Sequence, residues 1–250
     1  MPILLRNWSI NSGQFYKTFN FYRKQSMSNF YVDGNSSGTT FVPVPPGSHV
    51  ARCYRIVDLG TQKTEYLGQI KHLRKVMFGW ELHGDDNEGK PLLTEKGEPM
   101  AIFKNYTLSL NEKANLRLDL QSWRGKPFTD AEANRFDISV VLGQWCMLNV
   151  IHRPGKDDKV FANVAGVSPI PQIVKQHGLP TGINELQMFR LADPDMEMFE
   201  TFSKGLKAKI ESSPEWQGMM SSKAPSKAAS SQPQASPKGG FDDMDDDLPF

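Results

Sequence analysis

The order of strand-like and helix-like segments is the feature that most restricts the fold of this chain. Three segments rich in alternating apolar, β-branched and aromatic residues come first, followed by one amphipathic helix and two more strand-like segments. The predicted strands cover residues 49–60, 72–84, 101–110, 143–153 and 159–171, and the predicted helix covers 111–125. Strands and helices do not alternate regularly, which argues against a parallel α/β sheet.

This order predicts a β protein (α+β by content) built on an OB-fold, a five-stranded Greek-key barrel with a helix between strands three and four. Asn111 is a suitable N-cap for that helix, and Gly125 is suited to end it. A second short helix is predicted over 128–137, capped by Thr129 or Asp130. The last two strands are expected to pair across the six-residue hairpin loop RPGKDD.

Composition divides the chain into five parts. We predict a flexible N-terminal extension (1–40), an OB-fold domain that binds single-stranded DNA (41–183), a helical segment (184–217), a disordered linker (218–240) and an acidic tip (241–250). Residues 1–26 are aromatic and basic without a clean period, which fits either an upstream extension before a start at Met27 or an arm that contacts nucleic acid. An amphipathic C-terminal helix is predicted over 193–216, stopping before Pro214, and it either packs on the barrel or pairs subunits of a homo-oligomer.

Charge is distributed unevenly although the net charge is only +1. Residues 41–183 hold 18 Lys and Arg against 15 Asp and Glu, whereas residues 184–250 hold 7 against 12. Five of those acids lie in the last nine positions. The near-neutral total therefore combines a mildly basic body with an acidic end.

Several classes of protein do not fit the sequence. No apolar run approaches the roughly 18 residues of a membrane span. The apolar stretch at the N-terminus is too short for a signal peptide. We therefore expect a cytoplasmic protein, located in the bacterial host if it is phage-encoded. Cys53 and Cys146 are isolated, which predicts reduced, buried thiols. We expect no metal and no cofactor, because the histidines show no ligand spacing and no phosphate-binding glycine motif is present. The acids Asp85, Asp86 and Glu88 are interpreted as a turn rather than a nuclease site.

A surface for single-stranded DNA needs aromatic rings for base stacking and cations for phosphates. Candidates are residues that alternation places on the outward side of a strand, or that lie at strand ends or in loops. Phe78 and Trp80 lie on the same side of their strand as apolar neighbours and are interpreted as core. The candidate DNA-binding residues are Arg52, Tyr54, Arg74, Lys75, Lys104, Tyr106, Trp145, Arg153, Lys156, Lys159 and Phe161. Each has an ordinary alternative, burial for a ring or a solvated surface charge for a cation.

The body resembles phage-encoded single-stranded-DNA-binding proteins with an OB-fold. The matching phrases are PVPPGSHVARCYRIVDLGTQ (43–62), KVMFGWEL (75–82), YTLSLNEKANLR (106–117), GQWCMLNVIH (143–152) and the helical segment ending in SSPEW at 216. The resemblance covers roughly residues 41–216 and implies binding of single-stranded DNA without strong sequence preference.

The tip resembles the C-terminal tip of bacterial single-stranded-DNA-binding proteins, which end in acids followed by an apolar residue, Pro and Phe. The candidate partner-docking residues are Asp242, Asp243, Asp245, Asp246, Asp247, Leu248, Pro249 and Phe250. A terminal ring and carboxylate suit a small apolar pocket with a basic rim, while a generic acidic tail needs no apolar end.

The sequence therefore predicts a binding protein rather than an enzyme. The leading hypothesis is protection of single-stranded DNA in replication, recombination or repair, with replication or recombination proteins recruited by the tip. A recombination mediator or annealing protein is the first alternative, and a nuclease subunit is the second. Faster annealing of complementary strands would identify the former, and metal-dependent cleavage would identify the latter.

Overall fold

A computed structural model describes residues 42–66, 68–155 and 159–223 of the chain. The predictions for residues 1–40 and for the tip at 241–250 lie outside the described residues, as do Lys156 and most of the predicted linker. None of the helices within the described ranges has the length and apolar character needed to span a membrane.

A six-stranded sheet with flanking helices gives the protein a mixed α+β architecture. Its strands are β1 (Gly47–Tyr66), β2 (Gln69–His83), β3 (Ala101–Thr107), β4 (Trp145–Pro154), β5 (Val160–Ser168) and β6 (Gln187–Phe189). Five strands run in the order β3-β2-β1-β4-β5 with every neighbouring pair antiparallel, and β6 pairs in parallel with β1. The predicted order of strands along the chain is confirmed.

The helices lie between β3 and β4 and after β5. They are α1 (Asn115–Arg124), α2 (Asp130–Ala133), α3 (Gln172–His177), α4 (Met196–Glu200), α5 (Lys204–Glu211) and α6 (Pro214–Lys223). Gly125 ends α1 in the left-handed conformation, at φ 70°, as its position predicted. Thr129 caps α2 through a reciprocal capping box with Glu132. The expected cap at Asn111 is wrong, because α1 begins four residues later and its N-cap position is Ala114.

The barrel is not closed by hydrogen bonds within the described part of the chain. β3 and β5 are the two ends of the strand order, and no ladder joins them. Ile102 on β3 and Val164 on β5 nevertheless belong to the same hydrophobic core. The sheet therefore curves around a shared interior without a completed ring, which corrects the prediction of a closed barrel.

A β-bulge in β1 divides the apolar residues of this strand between two cores. The register with β2 shifts between Cys53 and Arg55, and an extra residue at a bulge reverses which face the following side chains occupy. Cys53 and Ile56 therefore face the first core, whereas Val57 and Leu59 face the second. Simple alternation along the strand predicts Cys53, Val57 and Leu59 on one side, and the bulge is the reason that this prediction is wrong.

The first core lies between the curved sheet and α1. It includes Phe78 and Trp80, both almost fully buried as predicted, together with Leu116 and Leu120 of α1. Trp123 fixes α1 to β4, since its indole N–H donates to the carbonyl of Trp145 at 2.9 Å.

The second core lies on the opposite face of β1 and β2 and is completed by the C-terminal part of the chain. Val57, Leu59 and Met77 pack there against an aromatic cluster of Phe189, Phe199, Phe202 and Trp216. This packing crosses the predicted boundary between residues 183 and 184. The sheet and the C-terminal segment are therefore one packed unit.

The single C-terminal helix predicted over 193–216 is instead three short helices, α4, α5 and α6. Pro214 was expected to stop a helix, yet it is the first residue of α6, a position where its missing N–H removes no helical bond. The Ser213 hydroxyl accepts from the backbone N–H of Trp216 at 3.3 Å and so caps this helix.

Gly60 lies against Ser213 at the start of α6 and allows a direct test of this packing. A Cβ added at Gly60, where φ is +68°, would lie 2.5 Å from the Cβ of Ser213. At Gly89, where φ is +78°, an added Cβ would have nothing within 4 Å. We expect Gly89→Ala to lower the free energy of unfolding by about 1 kcal/mol through its left-handed backbone, and Gly60→Ala to lower it by roughly a further 1–3 kcal/mol through overpacking. Urea denaturation measures both, and equal losses would contradict the packing of α6 on β1.

Candidate nucleic-acid interface

Arg52, the first of the candidate cations, is engaged by a buried carboxylate. Its Nε donates to Glu81 Oε1 at 2.7 Å, and its Nη2 donates to the carbonyl of Asn184. An Arg held by two acceptors within the protein is poorly placed to neutralise a phosphate.

Glu81 is completely buried and fastens the C-terminal segment to the sheet. Its carboxylate accepts from the backbone N–H groups of Ile183 and Asn184 at 3.1 and 2.7 Å, and from the Asn184 side chain at 2.7 Å. Burial by itself would raise the pKa of Glu81. The neighbouring His83 ring, the hydrogen bond from the Asn184 backbone and the charge of Arg52 outweigh burial, so the pKa is lowered and the carboxylate is held ionised.

The candidates on β3 are also used within the fold. Asp119 of α1 accepts from both Lys104 Nζ and the Tyr106 hydroxyl, each at 2.7 Å. Tyr106 is only 2% exposed, and burial with the adjacent Asp119 charge raises its pKa well above the usual value. Because it is buried, the Tyr106 ring cannot contact a base and is a core residue, which was its alternative interpretation.

Tyr54 occupies the bulge of β1 and is likewise buried, with 3% exposure. Burial raises its pKa to about 12. The Arg55 guanidinium lies over the rings of Tyr54, Phe103 and Phe202, at 5.2, 5.9 and 5.8 Å from their centroids. Tyr54 therefore contributes to the junction of sheet and C-terminal segment and offers no face to a base.

Arg74 and Lys75 lie at the base of the long β1–β2 hairpin and remain partly accessible. Arg74 is about half exposed and forms an ion pair with Asp58 at 2.6 Å. Lys75 donates to the hydroxyl of Thr107 at 2.6 Å. Among the described residues, Lys75 has no carboxylate partner.

The candidates on β4 and β5 form one continuous surface. Alternation buries Cys146, Leu148 and Val150 and directs the intervening side chains outward. We call this outward surface the hairpin face; its members are Trp145, Met147, Asn149, Ile151 and Arg153 on β4 and Phe161 and Asn163 on β5.

Phe161 and Arg153 are directly opposite each other on the hairpin face. Phe161 is 51% exposed, and its ring lies over Gly155, where an added Cβ would be 2.1 Å from a ring carbon. Arg153 is half-buried and forms no ion pair with any residue in the described ranges. An exposed ring is thus supported by backbone beside a guanidinium that no described carboxylate neutralises.

Trp145 extends the hairpin face toward β1 and β2. It is half-buried, pairs across the strands with Arg52, and meets the His83 ring edge-on with centroids 4.9 Å apart. The His83 ring in turn lies 3.1 Å from the Glu81 carboxylate. Trp145 is therefore held in a fixed orientation with part of its ring exposed.

The hairpin face carries no negative charge within residues 145–155 and 159–168. Lys159 is exposed at its end, next to Lys156, Asp157 and Asp158 of the loop, which lie outside the described residues. Such a surface can stack bases and neutralise phosphates, which is the requirement for binding single strands.

Met147 and Ile151 are members of the hairpin face that the sequence analysis did not select. Both are half-buried and share the parity of Trp145 and Arg153. The alternation along β4 would have identified them if apolar residues had been considered together with aromatic and basic ones.

No protein-family description matches this chain, and no curated protein sequence matches it. Within the described residues, no three His, Cys, Asp or Glu side chains are grouped to hold a metal ion.

The contrast between Phe161 and Tyr54 yields a test of these positions. We expect Phe161→Ala to change the free energy of unfolding by less than about 1 kcal/mol, as exposed substitutions do. Tyr54→Ala should lower it by roughly 3–5 kcal/mol, because a large buried ring is removed. Chemical denaturation of the two variants measures both values, and a large loss at Phe161 would show that its ring is structural.

Proposed function

We propose that this chain binds single-stranded DNA without strong sequence preference through the hairpin face, as a binding protein and not as an enzyme. In this proposal it protects exposed strands during replication, recombination or repair in the cytoplasm, in the bacterial host if it is phage-encoded. The resemblance of residues 41–216 to phage-encoded single-stranded-DNA-binding proteins supports the same assignment.

The observation that carries the proposal is the exposed Phe161 ring beside Arg153, on a strand pair whose described residues contain no carboxylate and give Arg153 no ion-pair partner. Stacking on a ring contributes about 1–3 kcal/mol per base and is nearly independent of the base, because every base has a π face. A neighbouring guanidinium supplies charge for the phosphate between stacked bases.

We further propose that the sheet is a partly open OB-fold. β1 pairs with both β2 and β4, β3 extends from β2, and β5 extends from β4, which agrees with a five-stranded Greek-key barrel left open between β3 and β5. The connection between strands four and five is one of the OB-fold loops that contact oligonucleotides. Phe161 and Lys159 lie at that connection here.

The position of the proposed contact surface differs from the general OB-fold pattern. The face of strands two and three is the usual contact surface, but in this chain the C-terminal segment covers the corresponding side through Glu81 and the second core. The hairpin face is left as the accessible basic and aromatic surface of the sheet.

We also propose that the tip at 241–250 recruits replication or recombination proteins. Its five aspartates would steer it to a basic rim, and Phe250 would fill an apolar pocket. Assembly of the chain into a homo-oligomer remains a hypothesis.

Substitutions on the hairpin face test the function directly. We expect Phe161→Ala to weaken binding of oligo-dT about 5- to 150-fold, since it removes one stacking ring. Arg153→Gln should weaken binding and make log K less dependent on log salt by about 0.7, the slope for one phosphate contact on a single strand. Fluorescence titration at several salt concentrations measures both effects.

Two matched variants serve as controls for these substitutions. Leu118→Ala removes a similarly exposed apolar side chain on α1, and Arg135→Gln removes an exposed guanidinium after α2. Both should bind oligo-dT like the unaltered chain. If all four variants bind with equal affinity, the hairpin face is not the contact surface.

Deletion of 241–250 tests the division of roles between body and tip. We expect the affinity for oligo-dT to stay the same or rise, because the aspartates compete with phosphates for cations. The measurement is the same titration, carried out at low salt where the competition is strongest. Loss of oligo-dT binding on deletion would refute the proposed roles.

A further inference from the structure

The base of the β1–β2 hairpin is joined to α5 by hydrogen bonds that place two lysines near each other. The Gln62 side chain on β1 donates to the Lys209 carbonyl at 2.9 Å and accepts from the Ser212 hydroxyl at 3.4 Å. Lys75 lies on the neighbouring strand, paired with Gly60 two residues before Gln62. The last turn of α5 therefore lies alongside the part of the hairpin that carries Lys75.

Both elements at this junction are positively charged. Residues 61–75 contain Lys63, Lys71, Arg74 and Lys75 against the single acid Glu65. Helix α5 contains Lys204, Lys207 and Lys209 against Glu211. Packing two elements of the same charge is unfavourable unless counter-charges lie between them.

Asp58, Glu200 and Glu215 are engaged by other groups and leave Lys75 and Lys209 without a carboxylate. Asp58 pairs with Arg74, and Glu200 pairs with Lys207. Glu215 accepts from the backbone N–H and the hydroxyl of Thr61 at 2.9 and 2.6 Å. Among the described residues, neither Lys75 nor Lys209 has a carboxylate within ion-pair distance.

Lys75 and Lys209 also influence each other electrostatically. Desolvation, followed by the charge of Lys75, lowers the pKa of Lys209. The Thr107 hydroxyl holds the Lys75 ammonium in position, at 2.6 Å. A phosphate between the two ammonium groups would relieve their repulsion.

We propose that Lys75 and Lys209 form a second phosphate-binding site, where the sheet meets the C-terminal helices, that takes one phosphodiester of the bound single strand. The identity of the ligand rests on the proposed function, whereas the anion site itself rests on two ammonium groups that have no carboxylate partner among the described residues. Because one lysine belongs to the sheet and the other to α5, an anion bound there also stabilises the contact between them.

The first experiment measures the salt dependence of oligo-dT binding by the full chain. Lys209→Gln and Lys75→Gln should each weaken binding and reduce the slope of log K against log salt by about 0.7. Lys204→Gln removes the same charge from an exposed position at the other end of α5 and should leave affinity and slope unchanged. Lys209→Arg, which keeps the charge, should restore most of the slope.

The second experiment uses inorganic tripolyphosphate without DNA. We expect it to raise the thermal unfolding midpoint of the full chain and of Lys204→Gln, with a much smaller rise for Lys209→Gln. The difference between Lys204→Gln and Lys209→Gln in this measurement depends on the anion site and not on DNA, so it distinguishes the two proposals.

The outcomes separate this inference from the proposed function. If the chain binds oligo-dT but Lys209→Gln and Lys204→Gln match in slope and in the tripolyphosphate effect, the second site is refuted and the proposed function stands. If the chain does not bind oligo-dT, the proposed function fails. A tripolyphosphate effect lost only in Lys209→Gln would then support the anion site and overturn the DNA strand as its ligand.

Discussion

The bulge at Tyr54 is the constraint on which the rest of the structure depends. It allows one strand to bury Cys53 and Ile56 toward α1 and Val57 and Leu59 toward the C-terminal helices. Because β1 is covered on both faces along this stretch, the sheet and the C-terminal segment cannot be treated as separate units. The bulge thereby determines which part of the sheet the C-terminal helices cover.

The strand order and the ends of several elements could be predicted from sequence because they depend on local signals. Gly125 and Thr129 act within one helical turn, and buried positions alternate regularly in β4 from Trp145 to Ile151. The second core could not be predicted, since it depends on an extra residue in β1 that reverses parity without altering the apolar pattern. The prediction that a helix stops before Pro214 missed the start of α6, because proline is compatible with both the end and the beginning of a helix.

The candidate site was predicted in part, and the division follows from the partners of each side chain. Alternation along the strands and side-chain charge correctly predicted that Arg153 and Phe161 point outward from one hairpin. The same criteria also selected Arg52, Lys104 and Tyr106, whose side chains are engaged by Glu81 or Asp119. Those two acids come from distant parts of the sequence, so only the tertiary structure shows that they use these candidates internally.

The parallel pairing of β6 with β1 has a consequence for how the chain is made. As synthesis proceeds from the N-terminus, β1 to β5 emerge from the ribosome before Phe189, Phe199 and Trp216 are available. Until then Val57, Leu59 and Met77 present an uncovered apolar strip, a state that favours aggregation or chaperone capture. Synthesis of the C-terminal segment therefore also determines when the nascent protein covers this strip and no longer exposes it to self-association.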